Sequence, residues 1–179
     1  MAAVKIHIAK VDSPRTLMMG SASAPWTIPH LAPIRRLAKG PVTVVKISRE
    51  YQGDLHCVAS HSPSGDTLIS DAPTDNQGRG EAFSPTDLVA TALGTCMATT
   101  MAIAPRRRGV ELRGLKFEVV KEMSDEGPRR IKRLITHVWV PLPKASVPAS
   151  FLEKVAHNCP VHKSLDPSIE KPIAFHRSE

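Results

Sequence analysis

Between Leu88 and Ala104 the chain carries no charged residue. A surface helix would break such a run with a polar stripe, so the segment predicts a helix buried on most of its sides. A start signal precedes it. Ser84 can cap, Pro85 suits the first turn and Asp87 completes a capping box. Pro105 predicts its end. The run is too short and too rich in Thr, Ala and Gly to read as a membrane span. On either side the pattern changes to alternation. Residues 42–48, 55–61 and 67–70 read as three short strands, punctuated by Gln52-Gly53-Asp54 and by Pro63-Ser64-Gly65-Asp66. Beyond the helix, residues 115–119 alternate, Asp125-Glu126-Gly127-Pro128 turns, and Ile131 to Val140 is a long strand apolar on both faces. A second helix opens at Ser146-Val147-Pro148 with Phe151, Leu152, Val155 and Ala156 as its stripe. It ends near Asn158, because Pro160 disfavours helix at Cys159. Residues 169–175 predict a last strand.

The order β-β-β-α-β-β-α-β predicts an α+β fold, a curved antiparallel sheet wrapping the buried helix. One copy leaves too little to cover a helix that is apolar all round. A homodimer whose interface supplies the missing cover is therefore expected. Residues 41–179 are long enough for one domain with its own core. Residues 1–40 read as a flexible N-terminal extension. Val4-Lys5-Ile6-His7-Ile8 alternates, but Pro14, Gly20, Pro25, Pro29 and Pro33 then break any period. Being arginine-containing and acid-poor, this segment also fits an organelle transit peptide, or an arm packing on a partner subunit.

The formal charge of +7 invites a nucleic-acid reading, and its distribution argues against one. Residues 1–40 hold six basic residues against Asp12 alone, which leaves about +2 for the domain. Aromatic residues that could stack on bases are scarce, at 4%. Three cysteines are too few for a disulfide scaffold, and no long apolar run opens the chain. A cytoplasmic protein with neither a nucleic-acid nor a membrane partner is expected.

The buried helix contains one redox-capable side chain, Cys96. It lies about three turns inside, beyond the reach of the helix N-terminal potential. A reactive Cys96 needs a neighbouring cation. Arg79, flanked by Gly78 and Gly80 in the loop before the helix, is the first candidate; Arg49 is the second. Glu81 lies in the same loop. On residue type alone, a single thiol packs as a small hydrophobe. Cys159 sits where the second helix breaks, and Cys57 on a strand reads as packing. Cys57 with His61 and Cys159 with His162 have spacings that zinc tolerates, but no tight Cys-x-x-Cys pair supports them. No Gly-x-Ser-x-Gly elbow and no phosphate-binding glycine loop occurs.

Phe83-Ser-Pro-Thr-Asp-Leu88, Ala92-Leu-Gly-Thr-Cys96-Met97 and Asn158-Cys159-Pro-Val-His-Lys-Ser-Leu165 resemble the OsmC/Ohr family of thiol-dependent hydroperoxide reductases, over roughly residues 42–176. The resemblance implies curved sheets wrapping two core helices and an intertwined homodimer with its sites at the subunit interface. It matches Cys96 to the peroxidatic cysteine, Cys159 to the resolving cysteine and Arg79 to the activating arginine. Thr86 stands where peroxidase members carry a glutamate, and Glu81 is the carboxylate that could substitute for it. The implied substrate is an organic hydroperoxide. The implied reductant is an external thiol or dithiol, with no bound cofactor and no metal.

Overall fold

The computed structural model describes residues 44–107, 109–143 and 146–177. The readings made for residues 1–40, and the first two residues of the expected opening strand, lie outside them. Three strands come first: β1 (Ile47–Gly53), β2 (His56–His61) and β3 (Thr67–Asp71), antiparallel in the order β1-β2-β3. The first is displaced toward the C-terminus from its expected place. The β1–β2 turn, Gly53-Asp54-Leu55, is left-handed at all three residues, which lets the strands reverse so tightly.

Helix α1 (Pro85–Arg106) begins on the expected capping box. Ser84 Oγ accepts the Asp87 N–H (3.2 Å), and Asp87 Oδ2 accepts the Ser84 N–H (2.9 Å). Pro105 does not stop the helix. It occupies the last turn, where the single lost N–H bond falls close to the end. Three strands and two short helices follow: β4 (Lys116–Met123), β5 (Ile131–Val140), α2 (Ala149–His157), α3 (Pro160–Ser164) and β6 (Ile173–Arg177). The second sheet, β4-β5-β6, is mixed rather than antiparallel, because β6 runs parallel to β5. The long crossover through α2 and α3 carries the chain back to the same end of the sheet and so permits the parallel pairing.

By length and composition α1 could cross a membrane. Here it is the core helix. Leu93, Met97 and Met101 are fully buried, and α1 packs on β4, β5, α2 and α3. Gly94 allows the close approach of β4, since a Cβ there would lie 3.2 Å from Val119 Cγ2. The expectation of burial on most sides is corrected. Thr91, Ala92, Thr95, Thr99 and Ile103 form a strip open to solvent. The three threonines bond back into their own helix, to the carbonyls of Asp87 (2.9 Å), Thr91 (2.8 Å) and Thr95 (3.1 Å). Among the described residues, the β1–β3 sheet packs extensively on no other helix or strand.

Candidate functional site

Cys96 sits mid-way along α1, on the flank between the buried Leu93–Met97 ridge and the open strip. Cys159 stands between α2 and α3. The break has a local cause. Pro160 cannot extend α2 but suits the first turn of α3, so the chain turns at Cys159. The turn is closed by the Cys159 N–H on Ala156 O (3.1 Å) and the Lys163 N–H on Cys159 O (3.0 Å). It directs the thiol into an apolar cluster with Ala90, Leu93, Met97, Ile131 and Leu134, where Cys159 has no exposed surface. Both thiols are free, and they lie near enough to shift each other's ionisation.

Burial pushes the Cys96 thiol up. The Cys159 thiol, the Val161 N–H and the Thr100 hydroxyl outweigh it, and the net effect is downward. At Cys159, burial and the bond to Cys96 push upward and prevail over the N–H groups of His162 and Val161. The two thiols titrate as a pair, the first proton leaving more easily than from a free thiol and the second less easily. Among the described residues, the groups that lower the Cys96 thiol are neutral donors. Thr100 Oγ1 gives its one hydrogen to Cys96 O at 2.7 Å, which anchors the hydroxyl near the sulfur, and it would have to turn from that carbonyl to donate to a thiolate.

The other expected residues are placed elsewhere in the chain. Arg79 is exposed and pairs with Asp54 at 3.1 Å. Glu81 Oε2 lies 3.6 Å from His56 Nε2, and its N–H donates to Asp71 Oδ2 (3.0 Å). That N–H, outweighing burial with the help of His56, holds the buried Asp71 carboxyl below its usual range. Arg49 is exposed on β1, opposite Ala59. Cys57, His61, Cys159 and His162 are not gathered: among the described residues no group of three or more His, Cys, Asp or Glu side chains could hold a metal. Sequence reasoning missed Thr100 and Lys121. Thr100 carried a signal, its spacing of four from Cys96. So did Lys121, a charge in register with Phe117 and Val119 on the apolar face of β4. Lys121 Nζ reaches Thr86 Oγ1 (2.8 Å) and Asp87 Oδ1 (2.5 Å). It closes one end of a cleft of about 540 Å³ between α1 and β4, walled by Phe83, Ala90, Gly94, Phe117 and Val119. Neither Cys96 nor Cys159 lines that cleft.

The model of the family described as OsmC-like protein matches residues 78–171, a span that includes α1 and both cysteines of the pair. The chain belongs to the OsmC-like family. An OsmC-like neighbour from Psychrobacter arcticus 273-4, named for osmotic stress induction and the detoxification response, is 38% identical. The match covers 78% of this chain and 100% of that one, with a TM-score of 0.68. An organic hydroperoxide resistance protein of Vibrio cholerae, with captopril bound in one of its active sites, is 18% identical over 79% of this chain and 96% of its own (TM-score 0.62). OhrB of Bacillus subtilis, another organic hydroperoxide resistance protein, is 15% identical over 75% and 98% (TM-score 0.56). These last two share the OsmC-like fold. No curated protein matches the chain.

Proposed function

We propose that this OsmC-like protein is a cytoplasmic peroxidase that reduces organic hydroperoxides with thiol reducing equivalents in oxidative-stress defence. The observation that carries the reading is the neighbouring Cys96–Cys159 pair, one thiol shifted down and half-buried, the other enclosed. The Cys96 thiolate attacks the distal oxygen of the hydroperoxide, the O–O bond breaks, and the alkoxide leaves as an alcohol after taking a proton. The sulfenic acid on Cys96 is then attacked by Cys159, water leaves and a disulfide forms before over-oxidation. Two thiols, or one dithiol, restore the pair by exchange. The apolar side chains around the sulfurs, among them Val89, Met97 and Val161, favour an organic body over hydrogen peroxide.

The proposal includes a homodimer. Seven of the eleven large apolar residues exposed among those described, Ile47, Tyr51 and Leu68 included, fall within residues 44–69. A contiguous exposed apolar face marks a surface that another molecule covers, and the open strip of α1 lies equally bare. A second copy covers both. Arg79 belongs to the proposed site by its place in the family pattern, and Glu81 as the loop carboxylate that substitutes for the family glutamate, whose place Thr86 takes.

An OsmC-like small-molecule-binding or redox-sensing module is the second reading. The cleft that neither cysteine of the pair lines favours it. Consumption of cumene hydroperoxide with dithiothreitol separates the two, measured on wild type, Cys96→Ser, Cys159→Ser and Arg79→Ala. The peroxidase reading expects turnover lost in Cys96→Ser and a Cys96–Cys159 disulfide in the oxidised wild type by mass spectrometry. No consumption above the thiol background, with both thiols free, rejects it in favour of the binding module.

A further inference from the structure

The second sheet packs one face on α1 and turns the other to solvent. Leu134, Thr136 and Val138 of β5 are buried on the inner side, so Ile135, His137 and Trp139 alternate outward. A second copy seated on the open strip of α1 lies on the inner side and leaves the outer face free.

On that outer face three neighbouring strands each bring forward one metal-ligating side chain. Glu118 of β4 is directly opposite His137 of β5 in the antiparallel pair. His176 of β6 is level with Trp139, two residues on from His137 on the same face. His137 Nδ1 and His176 Nε2 are 3.1 Å apart. Their ring centroids are 5.4 Å apart and the planes 24° from parallel, so the two nitrogens face each other across one shared proton. Trp139 stacks on His176 with centroids 4.9 Å apart and braces that ring from the side.

The spacing of the nitrogens suits an ion as well as a proton. Imidazole nitrogens bind divalent transition metals at about 2.0–2.1 Å, so two of them stand about 2.9 Å apart on adjacent corners of a tetragonal site and about 3.4 Å apart in a tetrahedral one. The observed 3.1 Å falls between. A turn of the exposed His176 ring makes the lone pairs converge. The shared proton moves to the other nitrogen of its own ring, which leaves both imidazoles neutral with one lone pair each. Glu118 does not stand at the pair in this arrangement, where two donors and not three are gathered. It is exposed, and residues directly opposite on antiparallel strands have Cβ atoms about 4.5–5.5 Å apart, within reach of a glutamate side chain. Lys116, opposite Trp139, is also exposed and can turn away to solvent.

We infer that the outer face of β4–β6 is a binding site for a divalent transition-metal ion, held by His137 Nδ1 and His176 Nε2 and completed by Glu118 and water. Two imidazoles and one carboxylate suit copper, nickel and zinc, and copper(II) binds most tightly of these. Calcium and magnesium, which take oxygen ligands, do not fit. The sheet separates this site from the sulfur pair, so it stands whether or not the peroxidase reading does.

The test uses the untagged full chain with Cys96→Ser and Cys159→Ser, so that the thiol pair neither binds nor reduces copper, beside the wild type titrated with zinc. Copper(II) chloride is added while tryptophan fluorescence and electron paramagnetic resonance are recorded. The expected result is one copper per chain, a tetragonal spectrum split by imidazole nitrogens, and quenching of the neighbouring Trp139. His137→Gln and His176→Gln, each in the same background, should weaken binding by about tenfold or more. Glu118→Gln should weaken it less and alter the spectrum. Zinc should bind the wild type with a loss in the histidine variants of the same order. Copper bound with unchanged affinity in both histidine variants overturns the inference, because the ion then sits elsewhere. Absence of stoichiometric binding also overturns it and leaves the two rings as a hydrogen-bonded pair only. An unchanged affinity and spectrum in Glu118→Gln strikes the carboxylate from the site.

Discussion

The second sheet lays Phe117, Val119, Leu134 and Val138 toward the core around α1, whereas the first holds Ile47, Tyr51 and Leu68 out to solvent. Each has three strands and an apolar face. The difference is that β4–β6 finds its cover in its own chain. The sulfur pair lies in this self-covered half, and one of its members borders the uncovered strip of α1. In the proposed homodimer one copy supplies the packing around the sulfur pair, and completion of the surface is left to the other.

That contrast can be broken first at its strongest point. Leu93→Ala, in the self-covered half, should cost about 2–5 kcal/mol of unfolding free energy. Urea melts should show the loss unchanged across protein concentrations. Leu68→Lys, in the uncovered half, should behave differently. In the proposed dimer it removes one leucine from each copy's contribution and places a charge there, weakening association by about 10–100-fold. Analytical ultracentrifugation over a dilution series reads this directly, and a sedimentation profile identical to wild type would sever β1–β3 from the interface.

The smallest effect sharpens the contrast at the sulfurs. Thr100→Val keeps the shape and removes a donor that holds the Cys96 thiol down. Its pKa should therefore rise. Below that pKa the thiolate fraction falls, so alkylation by iodoacetamide slows at neutral pH and recovers at high pH. Thr100→Ser should restore the wild-type profile. A valine variant with an unshifted profile would remove Thr100 from the site.

Much of this was readable from local pattern. The capping box at Ser84 and Asp87, the long apolar run of β5 and the break at Pro160 are rules of neighbouring residues, and each element appears where those rules put it. Short α3 was missed, because five residues after a proline carry no period. The parallel pairing of β6 was missed because hydrophobic pattern does not encode strand direction. The meeting of Cys96 and Cys159, 63 positions apart, was implied by family resemblance rather than by any spacing. The tie between Arg79 and Asp54 spans 25 residues and two loops, which no local rule reaches.

The threonines of α1 have a consequence for whatever settles on that helix. Thr91, Thr95 and Thr99 each give their hydroxyl hydrogen to a carbonyl one turn back. Their outward surface is then largely methyl. A strip that is half polar by composition can be dehydrated as if it were alanine and valine, with no hydroxyl hydrogen demanding an acceptor on the other side. The helix can therefore be wetted when alone and dried when covered, at little cost in either state.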